Sequence, residues 1–174
     1  MARTYLVSVT CDDRTGLIAA ITGRLFDLGG NLGDTSFAVL GTGAEFTSLV
    51  GLPEHLDAEA VRAELTALPE TAGGAVEVTP YDRPTDHGPL GEITHVITIS
   101  GGDQPGLIAR IAEVFGEYGA NIVRLDAGLE GDAYTMRYAV AIPEDAADKC
   151  LATVANTAGG MDLICLWRTA DEPG

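Results

Sequence analysis

The sequence predicts an α+β chain built from two copies of one small module, and three observations lead there. The chain repeats itself at a shift of 90 residues, taking Gly16 to Gly106. Each copy alternates strand and helix periodicities in the order strand, helix, strand, strand, helix, strand. A Pro/Gly-rich stretch with no periodicity lies between the copies. In detail, Asp13-Arg14-Thr15-Gly16-Leu17-Ile18-Ala19 returns as Asp103-Gln104-Pro105-Gly106-Leu107-Ile108-Ala109. At the same shift Ile21 meets Ile111, Gly29 meets Gly119, Asn31 meets Asn121, Gly41 meets Gly131 and Val50 meets Val140. Pro53-Glu54 meets Pro143-Glu144, and no gap is needed between positions 4 and 54. The expected boundaries are a first module at 1–81, a linker at 82–91 and a second module at 92–170.

Each element follows from its pattern. Tyr5, Val7 and Val9, then His95, Ile97 and Ile99, alternate with more polar neighbours, the period of a half-buried strand. Leu17, Ile21, Leu25 and Leu28, matched by Leu107, Ile111, Val114, Phe115 and Tyr118, make the apolar stripe of a first helix. Gly29-Gly30 and Gly119 stop those helices, because glycine accepts the left-handed conformation of a C-terminal cap. A hairpin comes next, with turns expected at Gly41-Thr42-Gly43 and Glu130-Gly131-Asp132. Its last strand in the second copy points Tyr134, Met136, Tyr138, Val140 and Ile142 one way and Thr135, Arg137, Ala139 and Ala141 the other. The second helix starts after Pro53 or Pro143, with Val61, Leu65 and Leu68 inward in one copy and Cys150, Leu151 and Val154 in the other. Final strands are expected at 76–81 and 163–167. A βαββαβ order gives a four-stranded antiparallel sheet with both helices on one face, the ferredoxin-like arrangement. The other face stays uncovered, so packing of modules on each other or on a second chain, as in a homo-oligomer, is expected.

Composition excludes several classes of function. The 174 residues include 10 Lys and Arg against 26 Asp and Glu, a formal charge of −16. Phosphate backbones repel such a polyanion, and no basic stripe offsets it, so direct nucleic-acid binding is not expected. Hydrophobic residues make up 46%, enough for packed cores, yet no apolar run reaches the roughly 20 residues that span a bilayer. The chain opens directly into an alternating strand, without the apolar core and cleavage site of a signal peptide. The cysteines Cys11, Cys150 and Cys165 are odd in number, which suits a reducing compartment. The expected location is the cytoplasm.

The junction of the first strand and first helix carries the chemistry: Cys11 to Leu17, and Gly101 to Leu107. Free N–H groups and the positive dipole end at a helix N-terminus favour an anion. Gly16 and Gly106 have no Cβ to keep a ligand from the backbone, and Asp13 and Asp103 add acceptors beside those donors. Together these suit a zwitterion, with its carboxylate on the N–H groups and its ammonium on the Asp. Asn31 and Asn121 open the second strand of each copy and form the second polar feature. The same residues have a purely structural reading: Asp as N-cap, Pro105 in a first helical turn, and Gly-x-Asn as an ordinary stop. On the residues alone both readings stand.

The pattern Asp-x-x-Gly-Leu-Ile, followed by Gly-x-Asn about thirteen residues after the motif glycine, resembles the ACT domain. The resemblance covers both halves apart from the linker and the tail after Trp167. ACT modules are regulatory βαββαβ units that often sense amino acids, with ligand at a module–module interface. The resemblance implies ligand contacts from Asp13, Gly16, Leu17, Ile18 and Asn31, and from Asp103, Gly106, Leu107, Ile108 and Asn121. It also implies a small amino acid, glycine or serine foremost, and a regulatory protein partner. A tandem pair with no appended enzyme is most similar to the family of glycine cleavage transcriptional repressors. The ACT segment of formyltetrahydrofolate deformylases is a further likeness, without their catalytic domain. This chain departs from some amino-acid binders at Cys11 and Gly101, where those carry a polar residue or histidine. Thr15 against Pro105 makes the two loops unequal.

Other constellations fail on spacing. His55, His87 and His95 share no metal-ligand spacing with each other or with the cysteines, so no metal is expected. Gly101-Gly102 belongs to neither phosphate-loop nor dinucleotide pattern, and no cofactor is expected. No nucleophile and base converge, which points away from an enzyme. Cys11 ends a strand near a helix N-terminus, but Asp12 and Asp13 oppose thiolate formation. Ligand-free protein capture through an exposed sheet is the alternative function.

Overall fold

The computed structural model describes residues 3–171. The chain divides into two compact units that meet between Arg83 and Pro84. In the first, β1 (Arg3–Asp12), α1 (Leu17–Asp27), β2 (Asn31–Leu40), β3 (Gly43–Leu52), α2 (Ala58–Thr66) and β4 (Ala75–Pro80) follow in order. In the second the same order returns as β5 (His95–Gly101), α3 (Leu107–Glu117), β6 (Asn121–Glu130), β7 (Ala133–Ala141), α4 (Ala147–Gly159) and β8 (Ile164–Thr169). The sheets have strand orders β2-β3-β1-β4 and β6-β7-β5-β8, with every neighbouring pair antiparallel. The expected α+β, ferredoxin-like βαββαβ architecture is therefore what each unit adopts.

The strand alternation decides which face the helices cover. Tyr5, Val7 and Val9 of β1 are buried with Leu17, Ile21 and Leu25 of α1 and Val61 and Leu65 of α2 in one core. In the second unit Ile97 and Ile99 meet Leu107, Ile111 and Phe115 of α3 and Cys150, Leu151 and Val154 of α4. Leu28 and Tyr118, expected at the end of the apolar stripe, are only half-buried because each falls at a helix C-terminus. Gly29 (φ 77°) and Gly119 (φ 65°) take the left-handed cap their sequence predicts. The next N–H, from Gly30 or Ala120, returns to Leu25 O or Phe115 O at 2.8 and 2.9 Å.

Some details differ from the sequence reading. α2 begins at Ala58 and not directly after Pro53, because Asp57 caps it by accepting from Ala60 N at 2.8 Å. A 3-10 turn, Glu144–Ala146, fills the gap between Pro143 and α4. On the face of β7 opposite Met136, Tyr138 and Val140, Thr135 and Ala141 are buried as well.

The two cores fill matching positions with different side chains. Phe46 and Ser48 of β3 correspond to Met136 and Tyr138 of β7, and Leu25 corresponds to Phe115. All six are buried. Ser48 shares a hydrogen bond with Thr35 (2.8 Å between hydroxyl oxygens) and donates to Leu49 O at 3.2 Å. Tyr138 stacks obliquely on Phe115, with ring centroids 5.3 Å apart and an interplanar angle of 59°, and donates to Met136 Sδ at 3.5 Å. Burial, with a smaller contribution from Tyr134, pushes the Tyr138 phenol up to about 12.

Candidate functional site

The helix-starting loops have one backbone geometry in both units. Gly16 (φ 89°, ψ −5°) and Gly106 (φ 83°, ψ 8°) sit in the left-handed region as N-cap residues of α1 and α3. A Cβ built on either glycine would meet nothing within 4 Å, so positive φ, and no crowding within the protein, is what calls for glycine here. Leu17 and Leu107 turn into the cores, while Ile18 and Ile108 are half-buried beside them. Neither helix has a side-chain cap or an acidic residue in its first turn, and in α1 the first N–H, that of Leu17, donates to Arg14 O at 3.2 Å. The capping alternative for Asp13 and Asp103 is not what the structure contains. Both carboxylates are exposed and, among the described residues, form no hydrogen bond or ion pair. They remain open to a cation.

Long side chains one residue further along hold the loops, a feature sequence reading missed. Arg14 donates to Pro69 O at 2.9 Å and to Ala72 O at 3.0 Å, just ahead of β4. At the matching position Gln104 donates to Met161 O at 3.1 Å, ahead of β8. Asp13 N adds a bond to Thr42 O in the β2–β3 turn at 2.9 Å. The only signal in the sequence is that positions 14 and 104 both carry long hydrogen-bond donors. Asp12 lies 3.9 Å from Arg14 but is too exposed to add much. Burial raises the Cys11 thiol pKa, Arg14 lowers it, and Asp12 and Asp13 raise it further, so the net shift is away from thiolate.

Register places the second polar feature elsewhere. Asn31 pairs with Gly51, and Gly51 pairs with Thr4, so Asn31 lies at the end where β1 begins. The Asp13–Gly16 loop leaves the other end, where Asp12 pairs with Gly43. Eight residues of strand separate them, roughly 25 Å. Asn121 likewise pairs with Ala141 at the His95 end of β5, whereas the Asp103–Gly106 loop follows Gly101. Within one module the loop and the asparagine are therefore not brought together. Asn31 and Asn121 are both exposed, but their surroundings differ. Asn121 Nδ2 donates to Leu90 O at 2.6 Å, from a 3-10 turn at Pro89–Gly91. Asn31 has no side-chain hydrogen bond among the described residues.

Among the described residues no group of three or more His, Cys, Asp or Glu is placed to hold a metal ion. Nor is any helix there long and apolar enough to cross a membrane.

Paired ferredoxin-like units, each presenting a glycine-led, uncapped helix N-terminus, define the class as tandem βαββαβ module proteins. The chain belongs to the ACT domain family: one ACT domain model matches residues 3–79 and another matches residues 95–148. Its fold is similar to the crystal structure of an unknown protein from Galdieria sulphuraria, at 20% identity and a TM-score of 0.76, covering 98% of this chain and 99% of that one. It is also similar to a candidate glycine cleavage system transcriptional repressor, at 12% identity and a TM-score of 0.70, covering 99% of both chains. At these identities the likeness concerns the fold. No curated protein matches the chain.

Proposed function

We propose that this chain is a regulatory protein that senses a small amino acid, glycine or serine foremost, and passes the signal on through protein contacts. The observation that carries the reading is the repeated loop. Two helix N-termini without capping side chains each have an unpaired aspartate three residues before the glycine cap. A ligand carboxylate would take the helix N–H groups and its ammonium the aspartate. Because loop and asparagine lie at opposite ends of one sheet, a complete site needs the loop of one module and the asparagine of another. That requirement supports a bridging ligand, which favours one packing of modules over another and so shifts an equilibrium. The proposed modules are 1–81 and 92–170, joined by 82–91, in a cytoplasmic homo-oligomer without enzymatic activity. The repressor-like fold makes glycine cleavage or one-carbon metabolism the proposed setting.

Thermal unfolding against each of the twenty amino acids at millimolar concentration tests the reading. A ligand at a hundredfold excess over Kd adds about 2.7 kcal/mol to stability. Asp103→Ala and Asn121→Ala should keep the fold and weaken the response. A wild-type response in both variants removes the proposed site.

The alternative is a ligand-free interaction module. The observation that favours it is the exposed apolar edge of each sheet, Phe37, Val39 and Leu40 on β2 and Leu125 and Leu129 on β6. Capture of a transcription factor or enzyme that ignores added amino acids would support it.

A further inference from the structure

We infer that the segment entering the second module is a strap that competes for Asn121, making the asparagine of that module harder for a ligand to reach than Asn31; this rests on the amino-acid-sensing reading above. The strap is a built turn. Gly88 has φ 57°, and Gly91 N donates to Gly88 O at 3.1 Å. A Cβ at Gly91 would come within 2.6 Å of His87 Cβ, so the turn closes tightly only because residue 91 is glycine. Downstream the strap is fastened at Thr94. Its N–H donates to Val140 O at 2.8 Å and its hydroxyl accepts from Ile142 N at 2.9 Å. Between these fixed points the Leu90 carbonyl sits 2.6 Å from Asn121 Nδ2. A carbonyl can only accept, so one of the two N–H donors of the Asn121 amide is already taken. An arriving carboxylate or carbonyl that takes this N–H must displace Leu90 O.

The bond is exposed and involves neutral groups, so the barrier is modest. Displacing one such hydrogen bond corresponds to about a fivefold loss of affinity. Asn31 carries no such competitor among the described residues, and the two half-sites respond in sequence as ligand rises, Asn31 first.

The experiment is a glycine titration, repeated with serine, of the ¹⁵N-labelled full chain, read at the side-chain amides of Asn31 and Asn121. A variant in which 84–91 become a Gly-Ser stretch of equal length is titrated beside it. The Asn121 midpoint should fall about fivefold in the variant while the Asn31 midpoint holds. An Asn121 midpoint equal in the two proteins overturns the strap as a competitor. If neither asparagine responds to either amino acid, the competition and the sensing reading fall together. The contact itself is tested without ligand. Asn121→Asp leaves only acceptors facing Leu90 O, so amide exchange at Gly91 should accelerate. Unchanged exchange there overturns the contact whatever the titrations show.

Discussion

The two modules present the same loop backbone and secure it by different means. Gly16 and Gly106 differ by only a few degrees in φ, yet Arg14 makes two hydrogen bonds across the first module where Gln104 makes one across the second. The cores show the same freedom, with Phe46 over Ser48 in one and Met136 over Tyr138 in the other. All four side chains are buried, so each core closes with its own set. What the repeats share is backbone geometry that only glycine provides. What they vary is any side chain whose job another can do from the same position.

The largest break in that comparison is at positions 48 and 138. Tyr138→Ala should cost the second module about 3–5 kcal/mol by leaving a cavity beside Phe115. Ser48→Ala should cost the first about 1 kcal/mol, through loss of its hydrogen bonds with Thr35 and Leu49 O. Denaturant melts of both variants decide it, and equal losses would refute the claim that the two cores are filled differently. Alkaline titration sharpens the same contrast. An unfolded tyrosine ionises near 10 and Tyr138 only near about 12, so its neutral form stabilises the fold fully below pH 10. That contribution is lost as pH rises from 10 to 12, and Tyr138→Phe should flatten the decline.

Next come the glycines. Gly16→Ala and Gly106→Ala should each cost about 1–2 kcal/mol, and by the same amount, because both force an L-residue into the left-handed region. A clear inequality between the two melts would show that the loops are not conformationally equivalent. The smallest effect belongs to the loop anchors. Arg14→Ala should cost about 1 kcal/mol and speed amide exchange across 13–16, and Gln104→Ala about half that across 103–106. Hydrogen exchange followed by mass spectrometry reads both loops in one experiment, and the reverse order would contradict the geometry.

The repeat and its element order were legible because identical residues recur at fixed spacing and each element has its own period. Leu17, Ile21 and Val61 could be placed inward from spacing alone. The candidate site was legible as residue types but not as an arrangement. Asn31 and the Gly16 loop are close in sequence, yet strand register puts them at opposite ends of the sheet, and register is a property of pairing between distant segments. For the same reason the anchors were hidden. Arg14 reaches residues 55 and 58 positions away, and Gln104 one 57 positions away. At Gly16 the sequence suggested room for a ligand through the missing Cβ, but not the positive backbone angle that also calls for glycine.

Edge strands β2 and β6 also share an irregularity. Pairing with β3 shifts register between Leu32 and Thr35, and pairing with β7 shifts between Ile122 and Arg124. One extra residue bends each edge near its start and leaves 35–40 and 124–130 as the straight portions. Apolar edges of this kind are the points at which sheets recruit strand after strand into fibres. A bulge twists the edge locally and shortens the length over which a foreign strand can pair. Leu40 and Leu129 thus stay exposed on edges whose regular pairing length the bulge has already cut short.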